Sequence, residues 1–118
     1  MIYLYCFMIL GIIGFQIALI RGAPWGNLTQ GGKVDGALPV SGRIVAAISI
    51  LVLIGLALAM LSADWVWPRW PSWTGWIAVG VNAVMMVLNW ITPSAAERKL
   101  WGPITTVLFV LAAMIVWL

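Results

Sequence analysis

Residues Ile44–Leu61 read IVAAISILVLIGLALAML, an uncharged run held between Arg43 and Ala63-Asp64. A helix over this run is about 27 Å long at 1.5 Å per residue, close to the thickness of a bilayer's hydrocarbon core. In hydrocarbon every backbone N–H and C=O must be satisfied within the protein, and an α-helix does this within one segment. The run therefore predicts a transmembrane helix. Three further stretches read the same way: Ile2–Ile20, Trp73–Ile91 and Pro103–Leu118, the last shorter than the usual minimum of about 17 residues. No span contains Asp, Glu, Lys, Arg or His. Four short spans cannot close a barrel, so the expected fold is all-α: one four-helix membrane domain over residues 1–118.

Composition agrees. Hydrophobic residues make up 64% of the chain and charged residues 8%, against about 25% charged in soluble domains. The formal net charge of +3 comes from sparse, scattered residues, which suits topology and lipid better than nucleic acid. The apolar start has no basic region before it, and Arg21 follows it, so it reads as a retained helix rather than a cleavable signal. Cys6, alone of its kind and inside the first span, predicts neither a disulfide nor a cysteine metal site.

The loops orient the chain. Arg21, Lys33 and Arg43 flank or occupy the first loop, and Arg98 and Lys99 the third, whereas the second holds only Arg69. Basic residues concentrate on the cytoplasmic side, so both termini are expected outside. Tryptophans outline the two boundaries. Trp65, Trp67, Trp70, Trp73, Trp76 and Trp117 crowd the outer one, and Trp25, Trp90 and Trp101 mark the inner one. The simple reading is an aromatic belt, and the alternative for the outer cluster is a surface for another protein.

Two loops carry local signals. The first, RGAPWGNLTQGGKVDGALPVSGR, holds Gly22, Gly26, Gly31, Gly32, Gly36 and Gly42 with Pro24 and Pro39. It reads either as a flexible linker or, from Trp25 between Pro24 and Gly26, as a loop folded onto the membrane surface. Asn27-Leu28-Thr29 matches a glycosylation acceptor but lies on the inner side, and Gly31-Gly32-Lys33 lacks the spacing and preceding strand of a P-loop. In the third loop, Ser94-Ala95-Ala96-Glu97 is a capping box. It predicts a short interfacial helix starting at Ser94, with Pro103 kinking it or opening the fourth span.

Polar groups inside a membrane point to function. Here they are Gln16, Ser49, Asn82, Asn89, Thr105 and Thr106. Asn82 and Asn89 share a helix face, and all but Asn82 fall in the inner half. Gln16 and Asn89 are expected to point inward and hydrogen-bond across the bundle. Two explanations compete: interhelical bonds of about 0.5–1.5 kcal/mol each, or a polar pocket open to the cytoplasm and roofed by the first loop. Such a pocket suits a lipid headgroup, a small solute or a partner's segment.

The motifs Pro24-Trp25-Gly26, Gly31-Gly32, Gly36, Leu38-Pro39 and Arg43, followed by Asn89, Pro93-Ser94, Glu97-Arg98 and Trp101-Gly102-Pro103, resemble those of a family of small bacterial four-helix membrane proteins of uncharacterised function. The resemblance implies a bacterial inner-membrane protein and brings no activity. Small multidrug-resistance exporters resemble the chain in length but need a carboxylate in the first helix, where only Gln16 stands. Small fluoride channels resemble it in a Gly-Gly and Arg pattern, but here that pattern follows the first span.

Catalysis is not expected. There is no histidine, and the three carboxylates, Asp35, Asp64 and Glu97, lie in loops, where Lys33–Asp35 and Glu97–Arg98 read as solvated ion pairs. The leading expectation is a non-catalytic accessory subunit of a larger bacterial membrane complex, of respiratory or photosynthetic type. Trp65, Trp67, Trp70 and Trp73 are its candidate contacts. The alternatives are a small oligomeric passive transporter lined by Gln16, Asn82 and Asn89, and a lipid-binding protein using Trp25, Arg21, Lys33, Arg43, Arg98 and Lys99. No cofactor is implied, although a bound lipid or pigment is compatible with the apolar faces.

Overall fold

The computed structural model describes residues 1–118 and contains four long helices: α1 (Ile2–Ile20), α2 (Val40–Ala63), α3 (Ser72–Ile91) and α4 (Ala95–Trp117). All four are long and apolar enough to cross a membrane, which makes this a multi-pass membrane protein. α1 packs on α2 and α3 on α4, and α2 meets α3 in a body 42 × 24 × 20 Å in extent. One end carries the first and third connections and five of the six basic residues. It is called the basic end below, and the opposite one the tryptophan end.

Two boundaries differ from the sequence reading. α2 begins at Val40, so Ser41, Gly42 and Arg43 are helical rather than part of the loop. Arg43 marks where apolar sequence starts, not where the helix does. Its guanidinium turns back onto the loop and the end of α1: Nε donates to Leu38 O at 2.9 Å and Nη1 to Ile20 O at 3.4 Å. The latter is an end carbonyl of α1, a place where helix geometry favours a cation.

The expected separate interfacial helix is absent as such. Its residues form the first turns of a continuous α4, and Pro103 lies inside that helix. Proline removes only the bond to the Lys99 carbonyl, close to the basic end. The hydroxyls of Thr105 and Thr106 bond back to Trp101 O at 2.6 Å and Gly102 O at 2.8 Å, adding bonds in the turn around the proline. Half of the capping box is present, as Glu97 N–H donates to Ser94 Oγ at 3.1 Å. The other half is replaced, because Ser94 N–H donates to Thr92 Oγ1 at 3.3 Å. That frees the Glu97 carboxylate for another partner.

Helix ends are closed by left-handed residues. Gly22 (φ +98°) ends α1, with Ala23 N–H on Ala18 O and Gly22 N–H on Leu19 O. The same double bond ends α2, with Val66 N–H on Leu61 O and Trp65 N–H on Ser62 O, but there the left-handed residue is Trp65 (φ +62°). Tyr5, Ile9, Leu53, Met60, Leu108 and Ala112 fill the bundle axis. Phe7, Leu51 and Ile91 point outward, as lipid-facing side chains do.

Candidate functional site

The first loop is held in place rather than left as an open linker. It folds onto the start of α4. Its two single-turn 3-10 segments, Gly26–Leu28 and Gln30–Gly32, are closed by Gly26 N–H on Gly36 O at 2.8 Å. Three bonds then pin them. Gly31 N–H donates to the Glu97 carboxylate at 2.9 Å, Ser94 Oγ–H to Asn27 O at 3.0 Å, and the Trp101 indole N–H to Leu28 O at 2.7 Å. Gly32 (φ +69°) lies so close to α4 that a Cβ there would overlap the Ser94 side chain.

Aromatic packing completes the seal. Trp25 stacks on Phe15 with centroids 5.6 Å apart, and Trp101 meets the same ring edge-on at 4.8 Å. Trp25 and Trp101, expected as lipid anchors, thus hold the loop to α1 and α4. The third inner tryptophan, Trp90, donates its indole N–H to Thr106 Oγ1 at 2.8 Å and lies against Gly102, clamping α3 to α4.

Under this roof is a polar cavity of about 300 Å³. Gln16 of α1, Ser49 of α2, Asn89 of α3 and Thr105 of α4 converge on it, with Thr29 and Gln30 from the loop and Glu97 from the first turn of α4. Glu97 is 8% exposed. The expected Glu97–Arg98 ion pair is not formed: the carboxylate holds Gly31, and Arg98 donates instead to Thr92 O at 2.8 Å. A carboxylate in the first turn of a helix is favoured by the macrodipole, which offsets part of its burial.

The polar residues of the sequence reading divide into two groups. Gln16, Ser49, Asn89 and Thr105 line the cavity, while Asn82 and Thr106 do not. The predicted cross-bundle bonds of Gln16 and Asn89 are also not made. Asn89 donates to Met85 O of its own helix at 2.7 Å, and Gln16 Oε1 is buried without a partner. Asn82 makes the cross-bundle bond instead, to the Tyr5 hydroxyl at 2.9 Å. Tyr5 was missed because an aromatic in an apolar span reads as packing, yet of the two tyrosines on α1 it is the one buried in the bundle, while Tyr3 faces outward.

The cavity adjoins further hollows. It shares Ile12, Gln16, Ser49 and Met85 with an apolar groove of about 410 Å³ between α2 and α3, further lined by Val45, Ile48, Val52 and Val81. That groove shares Val52 and Val81 with a third hollow, of about 280 Å³, which reaches Ala59, Trp70 and Trp73 at the tryptophan end. From Val45 to Ala59 the seam runs about 21 Å along α2. Val45 and Ile48 are exposed, so the groove opens sideways, where lipid would be.

At the tryptophan end, Trp65, Trp67, Trp70 and Trp73 are all exposed, and Trp76 meets Trp117 edge-on at 6.1 Å. At the basic end Lys33 and Lys99 are exposed, whereas Arg43 and Arg98 are engaged with backbone carbonyls. Comparison with known proteins adds no assignment. No protein-family model, curated protein or solved structure matches this chain.

Proposed function

We propose that this chain is a non-catalytic membrane protein that holds an amphiphile. The polar head sits in the loop-roofed cavity and the tail lies along the groove between α2 and α3. The observation that carries this reading is that a polar chamber adjoins a laterally open apolar seam, with four residues lining both. A small water-soluble ligand would have no use for the seam, and a lipid lying on the outer surface would not need the chamber. The passive-transport reading is less favoured. Asn82, its expected mid-depth pore residue, is held by Tyr5, and Ile9, Leu53, Met60 and Leu108 fill the axis. The five-to-one distribution of basic residues supports placing the chamber on the cytoplasmic side, with both termini outside, and the resemblance of the loop motifs suggests a bacterial inner membrane.

Ser49 stands where chamber and groove join, so Ser49→Phe is expected to block the waist. Native mass spectrometry after gentle extraction should find one retained amphiphile on the wild type. Its occupancy should fall at least about five-fold in Ser49→Phe but not in Ile54→Phe, a change on the exposed face of the same helix. Equal occupancy in all three proteins would defeat the reading.

An accessory-subunit role is favoured by a separate observation. Trp65 is 79% exposed and holds a left-handed backbone that glycine would adopt more easily. The turn that ends α2 thus presents this ring outward beside the exposed Trp67 and Trp73, an aromatic surface of the kind found at binding hot spots. Mild-detergent purification should yield a stoichiometric membrane partner that is lost on joint substitution of Trp65, Trp67 and Trp73 by alanine. A chain that runs alone ends this second reading.

A further inference from the structure

The chamber holds one charge and no counter-charge. Glu97 is the only ionisable residue among its eleven lining residues. Several of its polar groups also hold an acceptor open. Asn89 directs its NH₂ at Met85 O, and Gln30 directs its NH₂ at Gly42 O at 2.8 Å. A carbonyl only accepts, so both amide orientations are fixed and each keeps its own oxygen uncommitted. The Ser49 and Thr105 hydroxyl hydrogens go to Val45 O and Trp101 O. Gln16 Oε1 is buried and unpartnered. Asn89, Gln30 and Gln16 also keep amide N–H donors free, so charge sets the preference: a carboxylate stands among the open oxygens and no basic side chain lines the chamber.

Such a site complements a cationic head that can donate to Glu97 and to the open oxygens. A phosphate or carboxylate head would bring its charge against Glu97 and find no basic side chain among the lining residues. A divalent cation would find one carboxylate, and no cluster of three acidic, histidine or cysteine ligands exists in the chain. A protonated primary amine brings three N–H donors and a positive charge, and the Trp101 ring in the wall favours a cation as well.

We propose that the amphiphile's head is a protonated primary amine seated against Glu97 and the open amide oxygens. This rests on the amphiphile reading above. The test offers dodecylamine, dodecanol, dodecanoate and propylamine to the whole protein in a neutral maltoside detergent and measures retention by native mass spectrometry. The wild type should retain dodecylamine at least about ten-fold better than dodecanol or dodecanoate, and should retain little propylamine, which lacks a tail. Glu97→Gln keeps an acceptor for Gly31 N–H but loses the charge. It should bring dodecylamine down to the level of dodecanol. The joint variant Gln16→Leu, Asn89→Leu touches no bond of the loop and should lower dodecylamine retention at least three-fold while sparing dodecanol.

Wild-type retention of dodecanol or dodecanoate equal to that of dodecylamine would overturn the amine assignment. If Ser49→Phe still abolished that retention, the amphiphile site would survive with a different head. If Ser49→Phe changed nothing, the site itself would be wrong. Propylamine bound as well as dodecylamine would likewise overturn the proposal, since the groove would then have no part in it.

Discussion

Valine in place of Gly32 is expected to release the first loop from the bundle while leaving the four helices in place. Two costs combine. The backbone at Gly32 is left-handed (φ +69°), which costs an ordinary residue roughly 1–2 kcal/mol and a β-branched one more. The added Cβ must also occupy the space of the Ser94 side chain. The chain can escape only by withdrawing, which gives up the bonds of Gly31 to Glu97, Ser94 to Asn27 and Trp101 to Leu28. At about 1 kcal/mol each, these add roughly 3 kcal/mol of local docking energy. Amide hydrogen exchange over residues 26–36 should therefore accelerate by two orders of magnitude or more, with protection in α2 and α3 unchanged. Amphiphile retention should fall with it, because the roof of the chamber is gone. Unchanged exchange in the loop would mean that its contacts with α4 do not hold it.

The fate of that loop shows what was and was not legible in the sequence. The spans were legible because lipid imposes a simple rule, an uncharged run long enough to cross, and four runs obeyed it. The helix starts were not. Arg43 and the Glu97-Arg98-Lys99 group mark where the apolar sequence ends, and the α-helical backbone runs past both. The convergence of Gln16, Ser49, Asn89 and Thr105 on one chamber was visible as a crowding of polar side chains toward one boundary. The rest of its wall was hidden. Thr29 and Gln30 reach the chamber, and Glu97 is enclosed in it, through long-range contacts such as that of Gly31 with a carboxylate 66 residues away, and nothing in the local sequence of either segment announces the other. The capping box was correctly read for its hydroxyl and wrongly for its carboxylate for the same reason. A tertiary bond competed for the Glu97 side chain, and Thr92 satisfied the amide left behind.

The largest loss of bundle stability is expected from Tyr5→Ala. Tyr5 is fully buried and forms part of the axial core with Ile9, Met60 and Leu108. Removing a buried aromatic of this size costs about 3–5 kcal/mol, much of it from the cavity left behind. Packing loss survives the change of solvent from water to lipid, because a void deprives its lining of contacts in either medium. Tyr5→Phe separates the ring from the hydroxyl. It keeps the packing and removes only the acceptor of the Asn82 NH₂, which still donates to Ala78 O at 2.8 Å. Asn82 Oδ1 is already buried without a partner, so the amide is under-satisfied even in the intact protein. The net worth of the bond is therefore modest, about 0.6 kcal/mol with an upper range near 1.7 kcal/mol in comparable membrane bundles. A double-mutant cycle of Tyr5→Phe with Asn82→Leu, read by reversible unfolding in mixed micelles, should return a coupling in that range. Zero coupling would mean that the pair does not join α1 to α3. Coupling well above it would mean that the two groups belong to a larger polar network at the mid-depth of the bundle.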